Sequence, residues 1–241
     1  MADIKRKFIR KIFDVFHLNR SIAFHIQFSD AFKAQRQLIK NQAPIIIDVG
    51  AFDGRSARLY KKYFSDAIIY SFEPFPPSFA ILQNNKVDNQ HTLYPFAVAD
   101  NNGKSNLHVN RYAATNSLLE SSSYGLQVSP EQTTQYVIEI EQRTLDSFCK
   151  ENNLIAIDIL KIDVQGGELK VLQGARDLLE NKKITLIYFE VEFRELYKEQ
   201  PMFDNLSMFL RSLGYHFFAF YNSSYLRNGQ MIAADAIFIR S

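Results

Sequence analysis

The sequence predicts an α/β protein built on a doubly wound, mostly parallel sheet, with a C-terminal antiparallel strand and a helical N-terminal extension. Three observations predict it. Short, wholly apolar runs that end in acidic residues recur along the chain, helix-forming stretches separate them, and an aromatic-rich pair of strands closes the sequence around Asn228-Gly229. Strands that are apolar throughout, with helices between them, describe a parallel sheet covered on both faces. A terminal hairpin adds the antiparallel strand.

Element by element, residues 4–16 place Ile4, Phe8, Ile12, Val15 and Phe16 at helical spacing, with Lys5, Arg6, Arg10 and Lys11 largely opposite. This helix is expected to cap the main domain; the alternative is weak contact with an anionic membrane surface or with a partner. A second helical stretch runs to about residue 40, and "NQAP" at 41–44 marks a boundary. The domain division is therefore 1–42 for the extension and 43–241 for the main domain. "PIIIDVG" is a buried strand and 55–64 a helix. "AIIYSFEP" (67–74) is the second strand, "PSFAILQNNK" the second helix, and "HTLYPFAVA" (91–99) the third strand. Segments around 104–109 and 136–141 form an antiparallel insertion. "DILKIDV" (158–164) and "TLIYFEVE" (185–192) are two further strands, with "ELKVLQGARDLLE" a helix between them, and "YHFFAFYN" and "AADAIFIR" make the hairpin.

Composition narrows the function. At 241 residues with 46% hydrophobic and 14% aromatic content, the chain fills a core of its own. A net charge of +2, without clustered basic residues, excludes a nucleic-acid-binding chain. One cysteine, Cys149, precludes a disulfide framework, and the five scattered histidines make no zinc site. No apolar run approaches the ~18 residues of a membrane span, and the basic start lacks the apolar centre of a signal peptide. The chain reads as soluble and cytoplasmic.

Ligands of an open parallel sheet bind beyond the carboxyl ends of its strands. Acids fall there repeatedly: Asp48, Glu73, Asp163, and Glu190 with Glu192. Asp48 is expected to face a ligand. Gly50 and Gly54 supply a tight strand-to-helix turn, but the turn lacks the middle glycine of G-x-G-x-x-G that lets a pyrophosphate lie against backbone. Glu73, at the end of the next strand, is placed to accept hydrogen bonds from both hydroxyls of a ribose. A phosphate-free ribonucleoside carrying a positive group describes S-adenosylmethionine.

The chain resembles the FkbM-type methyltransferases, within the Rossmann-like, class I group that uses this cofactor. The likeness covers roughly residues 43–240 and rests on "DVGAFDG", "FEPFPPSFAILQNN", "NSLL" (116–119), "RTLDSF" (143–148) and "LKIDVQGGELKVLQGA" (160–175). It implies O-methyl transfer to a hydroxyl of a sugar, glycan or polyketide-like small molecule. It further implies that Asp48, Gly50 and Ala51 line the methionine side of the cofactor, and that Glu73 holds the ribose with Pro74 and Phe75 beside the adenosine. Ala97 and Val98 would flank the adenine, Ser117 would join the cofactor contacts, and Asp163 with Val164 would lie near the reacting methyl. Two positions depart from the family pattern: Phe52 replaces a small polar residue, and Gln165 replaces the usual Glu of "DVEG".

An alcohol acceptor must lose its proton, which a carboxylate or a divalent metal would assist. Asp163 is the first candidate for base or metal ligand, followed by Glu190 and then Glu168. The polar run 110–135 is long for a connection, and is expected to cover the acceptor with Tyr112 and Tyr124 available for stacking. Two other readings stand beside this one: an NAD-dependent enzyme on a similar sheet, and a non-catalytic cofactor-binding member.

Overall fold

The computed structural model describes residues 30–240. The amphipathic helix read at 4–16 lies outside them. The first described helix, α1 (Ala31–Leu38), starts where the Asp30 carboxylate accepts the amide protons of Phe32 and Lys33. The apolar run 45–49 then enters the sheet as β1 (Ile45–Val49), and α2 (Arg55–Tyr63) follows a turn closed by Gly54 at φ +79°. β2 (Ile68–Phe72) leads to α3 (Pro76–Asn84), whose first turn holds two prolines in the position where their missing amide costs nothing.

The third strand differs from the sequence reading. Residues 91–99 split into β3 (His91–Tyr94), which joins the main sheet, and β4 (Ala97–Val98), which leaves it. Pro95, between them, has no amide proton for a ladder. β4 runs parallel to β6 (Thr134–Arg143), which pairs antiparallel with β5 (Gly103–Asn110), giving a separate three-stranded sheet. The connection from β5 to β6 carries a short helix, α4 (Ser123–Val128), capped by the Ser122 hydroxyl.

After α5 (Leu145–Glu151), the chain returns to the main sheet as β7 (Ile157–Ile162). The helix expected over 168–180 is broken into α6 (Glu168–Gln173) and α7 (Arg176–Glu180). Gly174 stands at the break, where a Cβ would lie 1.9 Å from the Ala99 carbonyl oxygen. β8 (Ile184–Glu192), α8 (Phe203–Ser212), β9 (Tyr215–Tyr225) and β10 (Met231–Arg240) complete the described chain. α8 was not read from the sequence, although Leu206 and Leu210 bury one helical face there.

The main sheet has the order β3-β2-β1-β7-β8-β10-β9, with β10 antiparallel to both neighbours. Strand order reverses between β1 and β7, the place where a ligand crevice opens in such sheets. Alternation along each strand divides the core. Ile47, Val49, Phe72, Leu160, Ile162 and Phe189 pack toward α5–α8, whereas Ile46, Ile69, Ile159, Leu186 and Ile237 pack toward α1 and α2. α1 therefore belongs to the same core as the sheet. Among the described residues, no helix is long and apolar enough to cross a membrane.

Candidate active site

A cavity of about 250 Å³ opens at the β1/β7 reversal. Its walls come from the strand ends (Val49, Phe72, Asp163), from the β2–α3 turn (Glu73, Pro74), and from Ala97 and Val98. The insertion supplies Ala113, Asn116 and Ser117 as a cover. Of the residues named from the sequence, Gly50, Glu73, Pro74, Ala97, Val98, Ser117, Asp163, Val164 and Glu190 line this space together. Asp48, Ala51 and Phe75 do not.

Strand alternation turns the Asp48 side chain away from this cavity. Its neighbour Val49 faces the cavity side, so the Asp48 side chain points to the α1/α2 side and is fully buried. There the Lys161 ammonium lies 3.1 Å from Oδ1, and the Ser71 hydroxyl donates to Oδ2. Ser71 and His91 Nε2 are 2.9 Å apart, so a buried polar row crosses β7, β1, β2 and β3. Lys161 was missed in the sequence reading. A lysine inside the apolar run "DILKIDV", aligned with Asp48 in the ladder, was the available signal. It also donates to the Gly50 carbonyl oxygen at 3.1 Å and lies 3.5 Å from Asp163 Oδ2, tying three site elements to one charge.

The turn after β1 has little freedom. The amides of Gly50 and Ala51 both donate to the Phe72 carbonyl at 3.0 Å. Gly50 sits at φ +76°, and a Cβ there would lie 1.8 Å from the Asp163 carbonyl oxygen. Ala51 and Phe75 thus shape the site through backbone rather than by lining it. The Glu73 carboxylate is held from both sides: Oε1 accepts from the Phe75 amide at 2.9 Å and Oε2 from the Phe52 amide at 3.0 Å. Burial raises its pKa to about 7 against the pull of those amides and of Lys161. Phe52 adopts φ +46° and packs edge-on to Tyr112, closing one side of the cavity.

Gln165 organises the other side. Its Nε2 donates to Asp163 Oδ1 and Glu190 Oε2, each at 3.1 Å, while the buried Tyr197 hydroxyl lies 3.0 Å from its Oε1. The amide spans two carboxylates that would otherwise repel. Desolvation, with Asp163 and Glu192 nearby, holds the Glu190 carboxyl well above the usual carboxylate range. Glu168 accepts the amide protons of Val164 and Gly166 and shapes the loop beneath; burial lifts it to about 7. Ser117 lines the cavity, but its hydroxyl is engaged with the Gln165 carbonyl oxygen and the Leu119 amide. Its neighbour Asn116, not singled out before, has a buried Nδ2 with no partner. Of the two tyrosines expected to stack on an acceptor, Tyr112 covers the cavity through Phe52, and the Tyr124 ring lies under Arg194. His108 sits on β5 outside the cavity, and Cys149 is buried in α5 with burial pushing its thiol up to about 12.

A second cavity of about 170 Å³ lies toward α1 and α2, lined by Phe32, Arg55, Ser56, Tyr188 and Asp235. Asp163 and Glu190 belong to the walls of both. Among the described residues, no group of three or more His, Cys, Asp or Glu side chains is arranged to hold a metal ion.

A 2-O-methyltransferase, NoeI, of Sinorhizobium fredii (strain NBRC 101917 / NGR234) is 29% identical over 187 residues, covering 71% of this chain and 74% of that protein. The crystal structure of methyltransferase FkbM from Methylobacillus flagellatus KT superposes with a TM-score of 0.52 at 15% identity. That match covers 81% of this chain but 44% of the other, so the chain spans less than half of that protein's length. A precorrin-6y C5,15-methyltransferase from Geobacter metallireducens GS-15 gives a TM-score of 0.47 at 13% identity, over 91% of this chain and 92% of that one. Residues 48–217 match the methyltransferase FkbM domain, and the chain belongs to the FkbM methyltransferase family.

Proposed function

We propose that the chain transfers a methyl group from S-adenosylmethionine to a hydroxyl of a sugar, glycan or polyketide-like small molecule. The observation that carries the cofactor assignment is the anchored Glu73 carboxylate in a cavity that also holds an unpartnered buried amide. Two backbone amides fix that carboxylate, while its remaining lone pairs are free to accept from a ribose diol. The Asn116 Nδ2 is a donor that needs a partner where it is buried, since leaving it unmet costs about 1–3 kcal/mol. The close approach of Gly50 to the Asp163 carbonyl leaves room at the strand ends that a side chain would fill. These residues suit a phosphate-free nucleoside: Glu73 for the ribose, Pro74, Ala97 and Val98 for the base, and Gly50 with Asp163 and Val164 for the amino-acid end. Family membership sets aside the NAD-dependent alternative.

When bound, the cofactor supplies an electrophilic methyl on a positively charged sulfur. The protein's part is positioning and proton removal. Asp163, which lines the cavity beside Glu190, accepts the proton of the acceptor hydroxyl, while burial and the neighbouring Asp163 hold the Glu190 carboxyl above its ordinary range. Lys161 steadies Asp163 from one side and Gln165 from the other. Gln165 Nε2 already bridges Asp163 Oδ1 and Glu190 Oε2, so this pair does not fit a divalent metal between those oxygens. The O-methyl outcome accords with the 2-O-methyltransferase relative.

The test is incubation with labelled S-adenosylmethionine and cell extract, followed by identification of the labelled product. Asp163→Asn should bind S-adenosylhomocysteine as the wild type does, yet lose about 100-fold or more in turnover. Undiminished turnover in that variant would remove Asp163 as the base.

A further inference from the structure

We infer that the second cavity is the acceptor site and that it takes one uncharged, hydroxyl-rich ring such as a pyranoside, an inference that rests on the cofactor reading above. Displacement at a methyl carbon requires the incoming oxygen and the departing sulfur on opposite sides. The two cavities lie toward opposite faces of the sheet and meet at Asp163 and Glu190, the carboxyl groups that line both. With the nucleoside in the first and its methyl at the shared carboxyl groups, an acceptor oxygen would approach from the second.

The lining fits a polyol. Asp163, Glu190 and Asp235 offer acceptor oxygens, and Ser56 adds a hydroxyl from α2. Phe32 and Leu59 present apolar surface for a ring face. Asp235 and Glu190 are directly paired across β10 and β8, and Tyr188 donates its hydroxyl to Asp235 at 2.6 Å, so the floor is rigid. Its charge disfavours an anion. Lys161 is committed to Asp48, Asp163 and the Gly50 carbonyl, and Arg55 is an exposed residue of the first turn of α2. A carboxylated or phosphorylated ring would bring its charge against Asp163 and Asp235. The proton released in the step passes from the acceptor hydroxyl to Asp163. The oxygen's electron pair forms the new O–C bond as the C–S pair returns to sulfur, so a neutral ether and a neutral thioether result.

The experiment uses the full chain saturated with S-adenosylhomocysteine. Binding of methyl hexosides and methyl 6-deoxyhexosides, and of the corresponding methyl hexuronides, is followed by saturation-transfer NMR and titration. The neutral glycosides should bind, and the uronides about tenfold or more weaker. Ser56→Phe, which fills the cavity from α2, should lose glycoside affinity by about tenfold or more while holding S-adenosylhomocysteine within about threefold of wild type. Asp235→Asn, which keeps the volume, should narrow the gap between neutral and anionic sugars. Equal binding of uronides, unchanged glycoside affinity in Ser56→Phe, or no glycoside binding by a protein that holds S-adenosylhomocysteine would each overturn the acceptor assignment. If Ser56→Phe no longer holds S-adenosylhomocysteine, the Asp235→Asn variant decides, and unchanged discrimination there overturns it as well. A wild-type protein that does not bind S-adenosylhomocysteine would instead overturn the cofactor reading.

Discussion

The Glu73 carboxylate is buried, yet both of its oxygens meet backbone amides, so its ionisation is balanced between desolvation and hydrogen bonding. A pKa of about 7 means that near neutrality a large share of the protein carries a protonated Glu73 before ligand arrives. A ribose diol donates two hydrogen bonds and therefore favours the ionised form, so binding should expel a proton. The affinity of wild type for S-adenosylhomocysteine should rise from pH 6 to pH 8. Calorimetry in buffers of different ionisation enthalpy should register proton release at pH 7. Glu73→Gln should weaken binding by about 10- to 100-fold at pH 8, as expected for a hydrogen bond to a charged group, and should show no proton release. A pH-independent wild-type affinity would detach Glu73 from the ribose. At this scale the sequence was partly legible. An acid at a strand end announces Glu73, but nothing linear reveals which face a given acid takes: Asp48 and Val49 differ by one residue and by the whole thickness of the sheet. The Asn116 donor lay one position from the chosen Ser117, and only three-dimensional hydrogen-bond accounting separates the engaged hydroxyl from the unpartnered amide.

Elements were easier to read than their ends. The runs giving β1, β2, β7 and β8 are mostly apolar because both faces are covered, and such strands show plainly in sequence despite the buried Asp48, Ser71 and Lys161 within them. The breaks at Pro95 and Gly174 were less visible, since each depends on a distant partner: the second sheet for one, the Ala99 carbonyl for the other. The β1–α2 turn shows how such a constraint can be measured. Gly50→Ala adds a methyl 1.8 Å from the Asp163 carbonyl oxygen at a residue whose φ is already +76°. Gly229→Ala carries a similar backbone penalty, φ +85°, with nothing within 4 Å of the new Cβ. The second substitution should cost about 1–2 kcal/mol, whereas the first should cost more than about 3 kcal/mol and abolish S-adenosylhomocysteine binding. Thermal unfolding of both variants isolates the contact between the two strand ends from left-handed strain. Equal losses would mean that the turn has room to move away from β7.

Across the whole molecule, the carboxyl ends of the strands gather more acid than they neutralise. Glu73 and Glu168 are raised to about 7 and Glu192 to about 8, each chiefly by burial, and burial also raises Glu190 well above the usual carboxylate range. These groups hold protons in the folded chain that the unfolded chain gives up above its ordinary glutamate pKa, near 4.5. Folding stability from them is therefore fully present below pH ~4.5 and is lost as pH climbs through the folded values of about 7 and 8. The carboxylates shifted the other way, Asp30, Asp88 and Glu120, sit at more exposed ion pairs or caps and offset little of this. The ligand-free protein should therefore melt at a progressively lower temperature between pH 5.5 and pH 8.5, as expected for a site that keeps negative charge packed together for a positively charged cofactor. A fully buried group such as Glu168 contributes on the order of 3 kcal/mol in total to that loss, integrated from its unfolded to its folded pKa. Glu168→Gln should flatten the curve at the upper end of the range because the amide has no proton to lose, although it gives up one acceptor oxygen's charge toward the Val164 and Gly166 amides. Calorimetric melts of wild type and variant across that range provide the measurement. A wild-type melting temperature that rises with pH would show that the acids are ionised throughout, and that the strand-end rim is stabilised by its own hydrogen bonds without a ligand.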